Sequence, residues 1–339
     1  MIGWNVRRVG FAVALLVVTV AAGAQQSSWT VKPEWVRGHE EFLASDAMGG
    51  RQSASRWEEI TANYVASEFI AYGLKTAPGM SGYIQSADVD VYTTPNGRQR
   101  MHLVDAPSKT SRKTFNAIGY LPGSDPAAGT ILLTAHLDHL GTSDATDGDN
   151  IYNGADDDAS GTTAVMELAH ALAAGPKLKR SVLFVCYGSE ELGGLGSTYF
   201  GKHPPVPLKD LVTNLEFEMI GAQDPKMPKG VMLLTGWERS NLGPTLKEHG
   251  ALLGPDPYPE QHFFQRSDNF SLALLGIVAH TAAGWGTVPT YHKPNDDMAH
   301  LDLPFMTAAI QSLVEPMRWL ASSDFVPTWN KGGQPKGRE

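Results

Sequence analysis

The chain has 339 residues, of which 42% are hydrophobic and 19% are charged, and its formal net charge is −9 with histidine neutral. This composition supports a sizeable buried core and excludes a chain that is disordered throughout. An acidic protein of this kind lacks the basic surface that nucleic-acid phosphates require, so we expect no nucleic-acid partner.

The N-terminal segment predicts export. Arg7 and Arg8 precede an apolar run at residues 11–21, and small residues follow at 22–24. This order is typical of a signal peptide over residues 1–24, whereas a membrane anchor needs roughly 18 or more apolar residues. We expect a periplasmic or extracellular protein with no membrane attachment after cleavage. Its mature charge is −11, from 25 basic and 36 acidic residues.

The remaining residues, 25–339, are predicted to form a single domain that opens with a helical lead-in. The lead-in spans residues 33–74, with a break at 48–51, and its second half carries apolar residues at helical spacing. Residues 76–112 favour short strands and turns. The lone cysteine, Cys186, lies in an apolar run and is predicted to be a small buried hydrophobe, since it has no partner for a disulfide within the chain.

From residue 115 onward, apolar strands alternate with helices. The predicted strands are 130–134, 180–187, 212–219, 230–235 and 275–279, and the predicted helices are 160–174, 244–253 and 304–321. This alternation indicates an α/β fold, a three-layer sandwich with a mostly parallel central mixed sheet covered by helices on both faces. The tail at about 331–339 has no large apolar residue and is predicted to be mobile.

Polar side chains follow the predicted strands where α/β proteins bind ligands. The first strand runs into His136 and Asp138, whose side chains share one side of an extended segment. That spacing suits a metal-binding imidazole oriented by a carboxylate, although the pair alone is a weak signal.

Three further clusters lie at such ends. The acidic run at 156–158 sits between glycines before a helix and is either a solvated helix start or a cation site. Glu190 and Glu191 follow the second strand, and Glu216 and Glu218 end the third. His292 lies in a later turn. Together these residues form the His, Asp and Glu set that zinc favours.

These motifs, in this order, resemble the co-catalytic zinc aminopeptidases. That family includes bacterial leucyl aminopeptidases and, more distantly, glutamate carboxypeptidase and glutaminyl cyclase. The similarity runs from about residue 42 to about residue 321 and rests on segments 116–123, 135–141, 151–161, 189–191 and 291–294. It implies a zinc peptidase domain that hydrolyses peptides or aminoacyl compounds with two Zn²⁺ ions.

The resemblance also implies roles for single residues. His136 and Glu218 would bind one zinc, Glu191 and His292 the other, and Asp157 would bridge both ions. Glu190 would be the general base, Asp138 would orient His136, Tyr291 would donate its hydroxyl to a developing oxyanion, and Asp268 would line the pocket. The oligomeric state is not predicted.

This chain departs from the family pattern at several points. Glu218 stands where many members have Asp, and Glu216 is close enough to compete for its role. Asn269 stands where the family often has His. The remaining histidines, His139 included, are predicted to be surface or structural residues. The family's inserted domain near the substrate entrance is expected to be absent.

Three alternative functions remain open at this point. A glutaminyl cyclase would use a similar fold with a single zinc for intramolecular acyl transfer. A carboxypeptidase of related architecture is a further enzymatic alternative, and a non-catalytic binding domain would keep the fold without the chemistry. The presence of both the ligand set and Glu190 argues against the non-catalytic domain.

Overall fold

A computed structural model describes residues 1–2, 29–97, 99–144 and 148–337. Residues 3–28 lie outside the described residues, and they include all of the predicted signal peptide (residues 1–24) except its first two residues. Within the described ranges, no helix has the length and apolar character needed to cross a bilayer.

A nine-stranded mixed sheet forms the centre of the protein. Its strands are β1 (Ile84–Thr93), β2 (Gln99–Leu103), β3 (Arg112–Leu121), β4 (Thr130–His136), β7 (Ser181–Tyr187), β8 (Leu211–Glu218), β9 (Met232–Leu234), β10 (Leu253–Pro255) and β11 (Ala279–Ala283). A separate small ribbon pairs β5 (Gly141–Thr142) with β6 (Ile151–Tyr152).

The sheet order is β10-β9-β11-β8-β4-β7-β3-β1-β2. The four central strands β11, β8, β4 and β7 run parallel to one another, and antiparallel pairings add β3, β1 and β2 on one side and β9 on the other. The carboxyl ends of the four parallel strands therefore meet at one edge, as the sequence pattern predicts.

Seven α-helices accompany the sheet in the described residues. They are α1 (Pro33–Leu43), α2 (Arg56–Ala71), α3 (Gly161–Ala174), α4 (Leu195–Lys202), α5 (Leu242–Glu248), α6 (Asn269–Leu274) and α7 (Leu303–Ser322). In the N-terminal lead-in, α1 and α2 flank a short 3-10 helix at Asp46–Arg51, in which Gly49 and Gly50 have φ of +51° and +64°. Only glycine adopts such angles at little cost.

Two apolar layers confirm the three-layer architecture. Along β4, Ile131 and Leu133 face one buried cluster and Leu132 faces the other, because side chains alternate across a strand. The larger cluster packs α1, α2, α3, α5 and α7 on one face, and the smaller packs α4 and α6 on the opposite face. Cys186 on β7 is fully buried, as predicted.

Two predicted boundaries are wrong. In the strand predicted at 275–279, residues 275–278 are not in a strand. The apolar run ends helix α6 instead, turns at Gly276 (φ +96°), and enters β11 at Ala279. A short apolar run does not distinguish a buried helix end from a strand. The helix predicted to reach Leu253 stops at Glu248, because Gly250 (φ +100°) turns the chain into β10.

The predicted mobile tail remains a prediction. Within its described part, Gly333 is buried and its carbonyl accepts a hydrogen bond from the Arg239 guanidinium at 3.3 Å.

Candidate metal centre

The parallel strands bring three of the predicted clusters to one edge. His136 is the last residue of β4, and Glu218 is the last residue of β8. Thr134 pairs with Glu216 in the register between these strands, so His136 and Glu218 lie at the same level. The loop after β7 carries Glu190 and Glu191 beside them.

Two groups of side chains converge there. His136, Asp157 and Glu218 form one group, and His139, Asp157 and Glu191 form the other. The potential ligand atoms of each group lie within 4.8 Å of one another. Asp157 belongs to both groups.

The distances suit ligands of a common cation. His136 Nε2 lies 3.2 Å from Asp157 Oδ1, while His292 Nε2 lies 3.2 Å from Asp157 Oδ2 and 3.1 Å from Glu191 Oε2. Ligands held about 2.0–2.2 Å from a tetrahedral zinc lie roughly 3.0–3.5 Å apart. The structure thus places all five predicted ligands in one cluster.

His139 is the residue that the sequence interpretation missed. Its ring is fully buried, and Nδ1 lies 2.8 Å from Glu191 Oε1 and 3.9 Å from Asp157 Oδ2. Its position three residues after His136 was the available signal, but spacing alone does not distinguish it from a structural histidine.

The loop that carries Asp157 is held through its backbone. Asp296 accepts the amide hydrogens of Asp156 and Asp157 at 2.8 and 3.0 Å. Asp158 accepts the amide hydrogens of His136 and Met219, at 3.1 and 3.0 Å. The neighbouring aspartates therefore act as hydrogen-bond acceptors that fix the loop, which leaves the Asp157 side chain directed at the histidines.

Asp138 connects two of the loops. Its Oδ1 lies 3.7 Å from His136 Nδ1 and accepts the Glu190 amide hydrogen at 3.0 Å. Its Oδ2 accepts the Ser53 hydroxyl and, at 3.4 Å, the Glu191 amide hydrogen. The hydrogen-bond contact of His136 Nδ1 is with the Asp138 backbone carbonyl, at 3.2 Å, while the Asp138 carboxylate holds the loop of the two glutamates.

A pocket opens over the cluster. Its lining includes Glu190 and Tyr291 together with apolar and polar walls (Asp157, Glu191, Glu218, Met219, Leu233, Thr235, Phe263, Arg266, Ser267, Thr281, Ala283, Gly286 and His292). The Tyr291 ring stacks on His292 with centroids 3.8 Å apart. Asp268 lies in the adjacent cavity beside Glu190, where it is buried and accepts a hydrogen bond from Ser197.

The geometry distinguishes Glu216 from Glu218 as a potential metal ligand. Glu216 accepts the Asn269 amide hydrogen and the Thr281 hydroxyl at 2.5 and 3.1 Å, and it belongs to neither ligand group. The Asn269 side chain donates to the carbonyls of Phe264 and Ala279 at 3.3 and 3.4 Å. Asn269 therefore ties backbone segments together at the position where a family histidine was expected.

The electrostatics of the cluster follow from its burial and its opposite charges. Burial alone would raise the pKa of Asp157, but hydrogen bonds from His136 and His292 hold it well below its usual value. Burial alone would lower the pKa of His292, but Asp157 and Glu191 raise it to about 10. Burial also raises the pKa of Glu190 well above its usual value, although His136 opposes the shift.

The donor set fits zinc. Imidazole nitrogens and carboxylate oxygens are ligands that zinc accepts in open catalytic sites. Asp157 Oδ2 and Glu191 Oε1 are buried, and their close polar neighbours are other potential ligand atoms of the cluster, His139 Nδ1 and His292 Nε2, at 2.8 to 3.9 Å. Buried polar atoms are costly to leave unpaired, and a bound cation would satisfy the carboxylate oxygens directly.

Comparison with known proteins supports this description. Residues 116–315 match the model of peptidase family M28, which is more than half of the chain, and the chain belongs to that family. The predicted resemblance and the α/β fold are confirmed.

Two curated relatives match over part of their length. Leupeptin-inactivating enzyme 1 of Streptomyces exfoliatus is 35% identical over 165 residues, 48% of this chain and 34% of that protein. Aminopeptidase YwaD of Bacillus subtilis is 29% identical over 200 residues, 57% of this chain and 41% of that protein. The matched segments thus span less than half of each relative.

Solved structures share the fold across most of both chains. BSAP, a zinc aminopeptidase from Bacillus subtilis, superposes with a TM-score of 0.64 at 15% identity and covers 90% of this chain and 98% of its own. A Bacteroides thetaiotaomicron glutaminyl cyclase bound to N-acetylhistamine gives 0.60 at 19% identity, covering 86% and 99%. At such identities the likeness establishes the fold.

Proposed function

We propose that this protein is an exported zinc aminopeptidase that uses two zinc ions to hydrolyse the N-terminal peptide bond of peptides. The observation that carries the proposal is the pair of ligand groups that share Asp157 beside Glu190. The family and the zinc aminopeptidase relatives support the same activity.

Five side chains would hold the two ions. His136 and Glu218 would bind one ion, Glu191 and His292 the other, and Asp157 would contribute one oxygen to each. His292 reaches both Asp157 and Glu191 and is about one third exposed, whereas His139 is fully buried. His139 therefore suits the orientation of Glu191 through its 2.8 Å contact.

When bound, zinc polarises a peptide carbonyl and makes water acidic enough to act as a nucleophile near neutral pH. Glu190 lines the pocket but belongs to neither ligand group, so its carboxylate is free to accept the proton of the attacking water. The same carboxyl then returns that proton to the leaving amine. Its raised pKa makes the carboxylate a stronger base for the first of these transfers.

The remaining pocket residues would bind the substrate. The Tyr291 hydroxyl would donate to the oxygen that becomes negative in the transition state. Glu191 and Glu218 lie where they would attract the free α-ammonium group, which accounts for action at an N-terminus. Met219, Leu233 and Phe263 make the pocket wall apolar, which favours an apolar N-terminal side chain.

A substrate panel tests the proposal. The zinc-loaded protein should hydrolyse leucyl-p-nitroanilide faster than the glutamyl and lysyl compounds, and it should not hydrolyse N-acetyl-leucyl-p-nitroanilide, which lacks the free amine. Metal analysis should find two zinc ions per chain. Equal cleavage of the acetylated compound, or no cleavage of any member of the panel, would contradict the proposal.

Glutaminyl cyclisation is the second candidate, because a glutaminyl cyclase shares this fold over 86% of the chain. A cyclase of the kind that uses one zinc has no need of a shared carboxylate. Here Asp157 is common to two groups, which favours the aminopeptidase. Formation of pyroglutamate from a glutaminyl peptide without release of free glutamine would identify the cyclase.

Export rests on the sequence of residues 1–24. Expression of the full chain in a Gram-negative host should yield periplasmic or secreted protein whose N-terminal residue is Gln25. Recovery of uncleaved protein in the cytoplasm would overturn this part of the proposal.

A further inference from the structure

The segment Arg51–Glu58, which runs from the end of the 3-10 helix into the first turn of α2, lies outside the region that matches the family model, which begins at residue 116. It nevertheless contacts the loops that carry Asp138, Asp157 and Glu190. We propose that this segment is the positioning element of the metal centre. The proposal rests on the function proposed above.

Arg51 holds the Asp157 loop. Its side chain is fully buried, and within the described part of the chain its guanidinium donates to five backbone carbonyls. The acceptors are Leu43 (2.9 Å), Leu137 (3.1 Å), Asn153 (2.6 Å), Gly154 (2.7 Å) and Asp157 (3.4 Å). Three of these carbonyls belong to the loop of the bridging aspartate, so one side chain fixes the path of that loop.

The backbone of Arg51 supports the same interpretation. Its φ of +44° is unusual for a residue other than glycine and costs conformational energy. Its carbonyl accepts the His139 amide hydrogen at 3.0 Å, and the Ser53 amide donates to the His139 carbonyl at 3.3 Å. The strained conformation is thus fixed against the strand end that carries the first ligands.

Glu58 holds the loop that leads into Glu190. This buried carboxylate accepts five hydrogen bonds, from the amides of Ala54 (2.7 Å), Phe115 (2.8 Å) and Ser189 (3.1 Å) and from the hydroxyls of Thr114 and Ser189 (both 2.9 Å). Ser189 has a φ of +53° and directly precedes Glu190. Glu58 therefore fixes the backbone from which Glu190 projects.

Ser53 lies between these two residues and donates its hydroxyl to Asp138 Oδ2. Asp138 in turn lies beside His136 and accepts the Glu190 amide hydrogen. Hydrogen-bond partners of this kind orient metal ligands, and their loss typically weakens metal affinity or activity by about 10- to 100-fold.

Arg51→Lys tests the role of the guanidinium. Lysine keeps the charge but is a compact donor that cannot reach carbonyls on several segments at once. We expect zinc affinity, measured by competition with a chelator, to fall by about 10- to 100-fold. Arg180→Lys is the matched control, because Arg180 is also buried and donates to the carbonyls of Ala128, Leu320 and Phe325 at the opposite end of β7.

The control separates positioning from stability. Both variants should lower the melting temperature, but only Arg51→Lys should weaken zinc binding by the folded protein. If the two variants bind zinc as the wild type does, the proposal is overturned. If Arg51→Lys does not fold, the variant Ser53→Ala tests the positioning role of the segment instead. It removes one hydroxyl, and we expect it to weaken zinc binding about 10-fold, whereas unchanged affinity overturns the proposal.

Glu58→Gln tests the other end of the segment. In the variant, the side-chain NH2 group of glutamine would face hydrogen-bond donors that a carboxylate oxygen of Glu58 accepts in the wild type. We therefore expect the Ser189 backbone to shift. We expect kcat at saturating zinc to fall about 10-fold or more. An unchanged kcat would overturn the positioning role of Glu58. If the wild type neither binds zinc nor hydrolyses peptides, the proposed function has failed. If it does both while all these variants match it, only the positioning role has failed.

Discussion

Glu190→Gln examines the proposed general base with little structural change. Glutamine has nearly the same shape as glutamate but cannot accept a proton at neutral pH. The Glu190 amide hydrogen bond to Asp138 involves the backbone and should persist. Because Glu190 belongs to neither ligand group, the variant should bind zinc as the wild type does.

The expected magnitude follows from the two proton transfers assigned to this carboxyl. General acid–base catalysis by one group contributes about 10²- to 10⁴-fold, or roughly 2.7–5.4 kcal/mol at 1.36 kcal/mol per decade. Burial raises the Glu190 pKa well above its usual value, which strengthens the carboxylate as a proton acceptor, and the amide of glutamine can neither accept nor return the proton.

The assay is kcat for leucyl-p-nitroanilide at saturating zinc, with zinc content measured on the same samples. We expect kcat to fall at least about 100-fold while zinc stoichiometry and KM stay near wild type. A kcat within threefold of wild type would refute the role of Glu190. A parallel loss of zinc would instead assign Glu190 to metal binding.

Three further predictions concern the metal ligands. Asp157→Ala should lose both zinc ions and His292→Ala one, whereas His139→Ala should keep two with weaker affinity, as metal analysis after dialysis would show. In the metal-free protein, carboxylates raise the pKa of His292 to about 10 and outweigh burial to raise that of His136, so both rings hold a proton at pH 7. Zinc binding should therefore release protons and strengthen as pH rises. Calorimetry in buffers of different ionisation enthalpy measures this release, and its absence would contradict the prediction. Zinc at 1,000 times its dissociation constant should stabilise the protein by about 4 kcal/mol, so chelation should lower the melting temperature by roughly 10 °C, and an unchanged melting curve would contradict ligand-linked folding.

The fold was largely predictable because its central strands are long and apolar. Residues 130–136 and 181–187 are buried on both faces, so their sequences identify them as interior strands of a parallel core. The short segments were harder. The apolar residues before Gly276 end a helix rather than begin a strand: Leu272 and Ala273 are buried in α6, whereas Leu274 and Leu275 are exposed.

The candidate site was predictable to the extent that its residues form local motifs. His136, Asp157 and His292 each lie in a short pattern that resembles the family. Arg51 and Glu58 lie in no such pattern, because most of their partners are backbone groups more than 50 residues away along the chain. Backbone acceptors and donors have no sequence identity, so only the folded chain shows these contacts.

The Asp157 loop shows why such contacts matter for metal binding. The Asp296 carboxylate accepts the amide hydrogens of Asp156 and Asp157. The Arg51 guanidinium donates to the carbonyls of Asn153, Gly154 and Asp157. Because these backbone groups are hydrogen-bonded to Asp296 and Arg51, the loop backbone should stay in place when the Asp157 carboxylate binds zinc. The conformational entropy of the Asp157 loop is therefore lost during folding. Zinc binding does not have to order this loop again, which favours a higher zinc affinity. By this reasoning, zinc affinity in this protein depends on buried groups that never touch the ion as well as on the five side chains that would.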